Sequence, residues 1–450
     1  ALIAWNDSLA EDLGLADWRE SALPVLSGNE VPRWSTPVAL GYAGHQFGHF
    51  VPALGDGRAV LLGERIDASG RRMDLQLKGS GRTPFSRGGD GRAPLGPVLR
   101  EYLVSEAMFA LGVPTTRSLA AVTTGDRVVR ETVESGAVLT RVADSHLRIG
   151  TFEFLAARGD RDGLAQLTHY ALRRHAADDA NREPHVALAL FDHVADKQAS
   201  LIARWMALGF VHGVMNTDNM AISGQTIDYG PCAFLDEFQR DKVFSSIDAH
   251  GRYAFSQQPV IGAWNLSRLA GCLMLLHDDR GAFEARLDAF LQTVQRASLA
   301  AMVERFGLSP EETDGNELVS DWYDALEADA LDYTRSWHDL ADAVAADPDR
   351  TTGRPADSAA MGDFLQKWGD QLRGGDSIAA AQRIRAKAPV IIPRNHQIAR
   401  AISDAQNGDF AHFHALREAL QSPFDPLHYG TDLAEPPAPA QRVTRTFCGT

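Results

Sequence analysis

Glycine is unevenly placed along this chain, and that placement constrains the fold more than any other feature. Ten of the 39 glycines fall between residues 55 and 96, in a stretch where short apolar runs alternate with turns. Glycine adopts the left-handed conformations that tight turns need and lets backbone N–H groups approach an anion closely. The same stretch is basic. Between Gly55 and Ser105 nine Lys and Arg stand against six Asp and Glu, a local +3, whereas the whole chain has 44 basic and 59 acidic residues and a net charge of −15. A basic, glycine-rich island in an acidic protein points to an anion site, and the alternative is a set of solvated loops with incidental arginines. The overall acidity excludes a general nucleic-acid binder, since phosphate-backbone affinity rests on clustered Lys and Arg.

The 450 residues are 44% hydrophobic and 23% charged, the composition of a globular chain with room for two or three cores. Strands are expected over Ala59 to Glu64, Met73 to Lys78 and Leu119 to Arg141, the last broken by the turn signals TTGD and ESGA. From about residue 150 the pattern turns helical, with Phe283, Leu287, Phe290, Leu291 and Val294 on one stripe. Residues 311–349 hold thirteen acids and one Arg, yet Leu318, Trp322, Leu326, Tyr333 and Trp337 recur at near-helical spacing, so the acids read as a solvated face. The expected organisation is α+β. A small β-rich lobe (1–145) precedes a larger helical lobe (146–345), and a helical extension with a Pro-rich tail (346–450) follows.

Three cysteines (Cys232, Cys272, Cys448) never form a Cys-x-x-Cys pair, which argues against a zinc ribbon or a disulfide scaffold and for a reducing compartment. ALIAWNDSLAEDLGL has no basic region leading into an apolar core, and no run of eighteen apolar residues occurs, so neither secretion nor a membrane partner is expected.

Several motifs carry chemistry. Gly55-Asp56-Gly57-Arg58 precedes the strand AVLLGE, as a phosphate-approaching turn would, and no P-loop follows. In MDLQLK, Met73, Leu75 and Leu77 alternate with Asp74, Gln76 and Lys78, which turns Lys78 away from the core. The next helix, PLGPVLREYLVSEAMFALGVP, carries Glu101 off its apolar stripe and Glu106 as a competing partner. A strand lysine paired with a helix glutamate is how kinases fix a lysine on nucleotide phosphates.

The segment HGVMNTDNMAISGQTIDYGP (212–231) is the most specific. A two-residue hairpin at Ser223-Gly224 would set Asn219 opposite Asp228, close enough for an amide oxygen and a carboxylate to share Mg²⁺. Asp228-Tyr229-Gly230 then reads like the kinase Asp-Phe-Gly. Five residues before Asn219, where a kinase keeps its catalytic base, stands Val214. Asp218 is the nearby carboxylate that can take a proton from an incoming hydroxyl.

GYAGHQFG (41–48), LGDGRAVLLGE, LQLKGSGRTPFSRGGDGRA, LTRVADSHLRIGTFEF, HGVMNTDNM with IDYGP, and IPRNHQIARAI resemble the selenoprotein O family from about residue 36 to the terminal Cys-Gly-Thr. The resemblance implies a bilobed kinase-like fold with extra helices. It also implies a flipped ATP, so that AMP rather than phosphate passes to Ser, Thr or Tyr hydroxyls of protein substrates. On matching positions Gly55, Gly57, Arg58, Lys78, Asp90, Gly91, Arg141, Arg148 and Asp228 would contact ATP, and Glu101 would hold Lys78. Asn219 and Asp228 would bind Mg²⁺, with Mn²⁺ an alternative, and Asp218 would be the base. Cys448 takes the place of a selenocysteine in some eukaryotic relatives. The second cysteine of a redox latch seen in some bacterial members is missing after Cys232, and Cys232 or Cys272 would have to substitute. A monomer is expected, in the cytoplasm of a bacterium or the mitochondrion of a eukaryote. His45 lacks a second ligand at suitable spacing and reads as structural. Two other readings are ordinary phosphotransfer, disfavoured by Val214, and a nucleotide-binding scaffold without turnover.

Overall fold

The computed structural model of the protein describes residues 1–176, 183, 185–311, 313–346, 358–372 and 377–447. Cys448 lies outside them, as do parts of the acidic stretch and of the C-terminal extension. The described chain is mixed α+β.

Its strands are β1 (Leu2–Trp5), β2 (Gly44–Gln46), β3 (His49–Val51), β4 (Ala59–Ile66), β5 (Arg72–Lys78), β6 (Ala93–Pro94), β7 (Arg117–Val129), β8 (Val133–Ala143), β9 (Phe210–Val211) and β10 (Ala233–Phe234). An antiparallel sheet runs β1-β7-β8-β5-β4, with β6 also on β8, while β2-β3 and β9-β10 form two small ribbons. Helices α1 (Asp7–Asp12), α2 (Trp18–Ser21) and α3 (Leu23–Leu26) come first, and α4 (Leu95–Ala110) lies between β6 and β7. After β8 the chain is helical: α5 (Ile149–Ala156), α6 (Arg161–His175), α7 (Val186–Leu208), α8 (Gln258–Leu273), α9 (Arg280–Arg305), α10 (Gly315–Ala328) and α11 (Tyr333–Ala346). The tail adds α12 (Ala359–Gln371), α13 (Ser377–Lys387), α14 (Asn395–Gln406) and α15 (Ala411–Ala419).

Alternation along β5 assigns its two faces. Met73, Leu75 and Leu77 join Trp5, Leu9, Leu26, Val122, Val138 and Val142 in one core, under the N-terminal helices. Asp74 and Gln76 on the other face are also buried, so this strand is covered on both sides and its polar face must be paired internally. The second core joins α4, α7 and α8 and holds the sheet to the helices. A third gathers Trp322, Trp337 and Trp368 from α10, α11 and α12, which places the apolar stripe of the acidic stretch inside, while Glu317, Asp324 and Asp342 are exposed. That stripe belongs to two helices, with Ala330 at φ 50° between them. Among the described residues, no helix is long and apolar enough to cross a membrane.

Two turn expectations fail, for register reasons. TTGD (123–126) is not a chain reversal but an irregularity inside β7, ESGA (134–137) lies within β8, and the chain turns at 130–132. Pairing nearly the full length of two long strands outweighs the local turn signal. The two-residue turn expected at Ser223-Gly224 forms one residue earlier, with Ile222 and Ser223 central and Gly224 N–H donating to the Ala221 carbonyl at 3.1 Å. Its flanks, however, do not pair with each other: Ala221 bridges Arg148 and Thr226 bridges Thr115. On α9, Phe283, Phe290 and Val294 are buried, but Leu291 is exposed.

Candidate active site

The site grows from the polar face of β5 and its register with β8. Gln76 lies opposite Arg141, and Lys78 opposite Leu139, at the strand end. From α4, packed on the sheet, Glu101 Oε2 meets Lys78 Nζ at 2.6 Å, and Lys78 Nζ also meets Asp228 Oδ1 at 2.7 Å. Glu106, one and a half turns on, is engaged elsewhere. It accepts hydrogen bonds from Arg117 Nη2 (2.7 Å), Ser118 N–H (2.7 Å) and Asn6 Nδ2 (2.6 Å).

Arg141 is buried and binds Glu101 through Nε at 2.9 Å and Asp228 through Nη2 at 2.7 Å, with Gln76 Oε1 at 3.3 Å. Arg148, at the N-terminus of α5, lies over the Tyr42 ring at 4.6 Å. Its Nη1 donates both to the Asp218 backbone carbonyl (2.7 Å) and to Asp228 Oδ2 (2.8 Å). Burial alone would raise the Asp228 carboxyl, but Lys78, Arg141 and Arg148 together hold it well below the ordinary carboxylate range. Glu101 is likewise held low by Arg141 and Lys78 against its own burial. Asp228 has φ 65°, a left-handed conformation that aspartate tolerates and that here is maintained by these contacts.

Asp218 differs from Asp228. Its backbone lies in a short 3-10 turn (Thr217–Asn219), and the side chain is buried. Gln46 Nε2 donates to its Oδ2 at 3.4 Å, while Oδ1 has no hydrogen-bond partner. Burial pushes its carboxyl up to about 6, against the pull of Arg148. Asn219 spends its Nδ2 on the Val214 carbonyl at 3.0 Å, which leaves the amide oxygen available as a ligand atom. Val214 is a buried aliphatic side chain, and its position offers no base.

The glycine-rich segment adjoins this cluster through Asp56. That buried carboxylate accepts from Leu40 N–H (3.2 Å) and Gln76 Nε2 (3.1 Å) and lies 3.8 Å from Arg148. Gly55 at φ 68° sits so close to Phe85 that a Cβ would fall 2.2 Å from the ring, so only glycine fits. Gly57 faces the Phe85 carbonyl, and Arg58, half-buried, accepts Gly79 N–H on its carbonyl at 2.7 Å. Asp90 and Gly91 lie in the following loop. Asp90 is gripped by Arg130 at 2.9 and 3.0 Å, which lowers its carboxyl to about 2. Gly91, at φ 67°, accepts Gly81 N–H on its carbonyl at 3.1 Å.

Lys78, Glu101, Arg141, Arg148, Asp218 and Asp228 thus form one network. Sequence reasoning missed Tyr42, Asp56, Gln76 and Arg100. Arg100, beside Glu101 on α4, donates to the Tyr229 (3.2 Å) and Gly230 (2.7 Å) carbonyls and so fixes the loop that carries Asp228. For Gln76 the signal was there, since it shares the polar face of β5 with Lys78.

Asp228 and Asn219 offer hard oxygen ligands. Such a set fits a hard cation like Mg²⁺ that takes its other ligands from phosphates and water. Among the described residues, no group of three or more His, Cys, Asp and Glu could hold a metal ion by itself. Three cations gathered on one half-buried aspartate, near a second, buried aspartate with one oxygen left without a hydrogen-bond partner, equip a group-transfer enzyme that handles polyphosphates.

Comparison with known proteins agrees with this class. The family model described as "Protein adenylyltransferase SelO" matches residues 1–421. A relative from Agrobacterium fabrum, named "Protein nucleotidyltransferase YdiU", is 50% identical over 461 residues, covering 100% of this chain and 94% of the relative. Relatives of the same name from Rhizobium etli (50% over 474 residues, 100% and 92% covered) and Nitrobacter hamburgensis (49% over 461 residues, 100% and 91%) are similar throughout. The chain belongs to the SelO family.

Proposed function

We propose that this protein is a protein adenylyltransferase, transferring AMP from ATP to Ser, Thr or Tyr hydroxyls of protein substrates with release of pyrophosphate. Membership of a family described as adenylyltransferase supports it. The observation that carries it to these residues is the link made by Arg148, which joins the Asp228 carboxylate to the backbone of Asp218, whose buried carboxylate keeps one oxygen without a hydrogen-bond partner.

In this reading the fold is a bilobed kinase-like one: residues 1–145 form the smaller lobe, 146–345 the helical lobe, and 346–450 an extension. Lys78, held by Glu101, with Arg141 and Arg148 would exchange part of their pairing with Asp228 for the ATP phosphates. Gly55, Gly57, Arg58, Asp90 and Gly91 would shape the nucleotide side. Asp228 and Asn219 would hold Mg²⁺, which when bound offsets phosphate charge. Asp218 accepts the hydroxyl proton as the oxygen attacks the α-phosphorus. The bond from that phosphorus to the bridging oxygen breaks, and its electron pair leaves with pyrophosphate. A carboxyl raised to about 6 remains ionised at neutral pH while being a stronger base than an ordinary aspartate.

Intact-mass spectrometry after incubation with ATP, Mg²⁺ and an acceptor protein tests the reading, beside Asp228→Ala. A gain matching AMP, absent from the variant, is expected. A gain matching phosphate overturns it in favour of phosphotransfer, and nucleotide binding without any gain overturns it in favour of a scaffold.

A further inference from the structure

The motif GHQF ends up against the loop that carries Asp218. The ribbon β2-β3 pairs Gly44 with Val51, His45 with Phe50 and Gln46 with His49, which leaves Phe47-Gly48 as a two-residue turn. Both turn residues have positive φ, 51° and 85°. Asparagine or glycine suits the first of these positions, and phenylalanine does not. Something outside the hairpin therefore holds it.

That something is the 216–218 loop. Successive N–H groups on one edge of a strand point the same way, and those of His45 and Phe47 donate to Thr217 Oγ1 (2.7 Å) and Asn216 Oδ1 (3.0 Å). Thr217 Oγ1 donates in turn to Glu153 Oε2 at 2.5 Å, and Glu153 Oε1 returns to His45 Nδ1 at 2.5 Å, which closes a ring. Tyr253 OH reaches the same Asn216 oxygen at 2.6 Å, with its ring edge-on to Phe47. Between these two anchors, Gln46 supplies the side-chain donor to Asp218 Oδ2. Gly44 lies so near that a Cβ there would come within 2.4 Å of Oδ1.

We propose that Gln46 is a positioning residue for the transfer reaction: the anchored β2-β3 hairpin uses it to fix the orientation of the Asp218 carboxylate, through Oδ2, while Gly44 packs beside the buried Oδ1. This rests on the reading of Asp218 as the base. Gln46 need not touch ATP for this role, so its loss separates turnover from nucleotide binding.

The test is a double-mutant cycle of Gln46→Met and Asp218→Asn, read as AMP transfer at saturating ATP, as ATP affinity by calorimetry and as Tm. Gln46→Met keeps the length and removes the donor. Its kcat should fall about tenfold, part of what a positioned base contributes, with ATP affinity unchanged. In the Asp218→Asn background the same change should cost nothing further. Wild-type kcat in Gln46→Met, alongside a slow Asp218→Asn, overturns the proposal. So does a further fall in the double variant, which shows action independent of Asp218. Full turnover in Asp218→Asn overturns the base reading instead. Should Gln46→Met lower Tm, Gln46→Asn, whose amide stops one methylene short, takes its place in the cycle with the same expected outcomes.

Discussion

Arg148 and Asp228 face each other across 2.8 Å, and the same guanidinium nitrogen reaches the Asp218 carbonyl at 2.7 Å. One buried side chain therefore ties together the two aspartates to which the chemistry is assigned. Arg148→Ala leaves Asp228 short of a cation in a buried site, where an uncompensated charge is costly. Urea unfolding should show a loss of about 3 kcal/mol. Arg148→Lys restores the charge but lacks the planar fork, so it should recover part of the stability while transfer stays at least about tenfold down. Full transfer by the lysine variant would show that the two-point geometry is unnecessary.

Two glutamates on α4 have separable roles. Glu101 binds Lys78 and Arg141, whereas Glu106 binds Arg117, Ser118 and Asn6 on the far part of the helix. Glu106→Gln should cost about 1–2 kcal/mol of stability, the worth of hydrogen bonds to a charged acceptor, and leave kcat/KM unchanged. Glu101→Gln should lower kcat/KM about tenfold or more by freeing Lys78 from its position. Steady-state kinetics beside chemical denaturation checks both, and equal kinetic losses in the two variants would contradict the assignment.

These contrasts show which parts of the site were legible in the sequence. Lys78 and Glu101 were, because strand alternation and helix start signals are local. Asp228 was legible from its Asp-Tyr-Gly context. Asp56 and Tyr42 were not. Their part depends on residues 40–42 lying along 54–56, which brings Leu40 N–H to Asp56 and the Tyr42 ring under Arg148. Ser223-Gly224 misled for a related reason: the turn forms one residue earlier, at Ile222-Ser223, and Arg148 and Thr115, distant in sequence, take the flanking backbone groups. The long pairing of β7 with β8 absorbed TTGD in the same way. In each case a tertiary partner outcompeted a local signal.

Gly44 is where the sequence leaves no room beside Asp218, the proposed base. An added Cβ would fall 2.4 Å from Asp218 Oδ1, and the strand cannot retreat easily, since Ala43 N–H is bonded to the Gly150 carbonyl at 2.9 Å. Gly44→Ala must therefore displace the carboxylate. Transfer should fall at least about tenfold, as small misplacements of reacting groups do, while calorimetry finds ATP affinity preserved. Wild-type turnover would mean that Asp218 tolerates displacement, which a positioned base does not.

Stability should carry a pH signature away from this chemistry, at His175 near the end of α6. Its Nε2 shares a hydrogen bond with Ser145 Oγ at 2.8 Å. Burial, helped by Arg174, pushes the imidazole down to about 3, from an ordinary value near 6.5. The folded protein therefore refuses a proton that the unfolded chain accepts. Above about pH 6.5 neither state is protonated and His175 adds no pH dependence. As pH falls from there toward 3, the unfolded state gains protons first, and stability drops progressively. By about pH 4.5 the loss should reach about 3 kcal/mol. His175→Gln cannot titrate, so its stability should fall less steeply over this window, whatever constant offset the lost ring introduces. Urea unfolding of both proteins between about pH 7 and 4.5 measures the difference. Parallel curves would mean that the folded protein accepts the proton at His175 as readily as the unfolded chain.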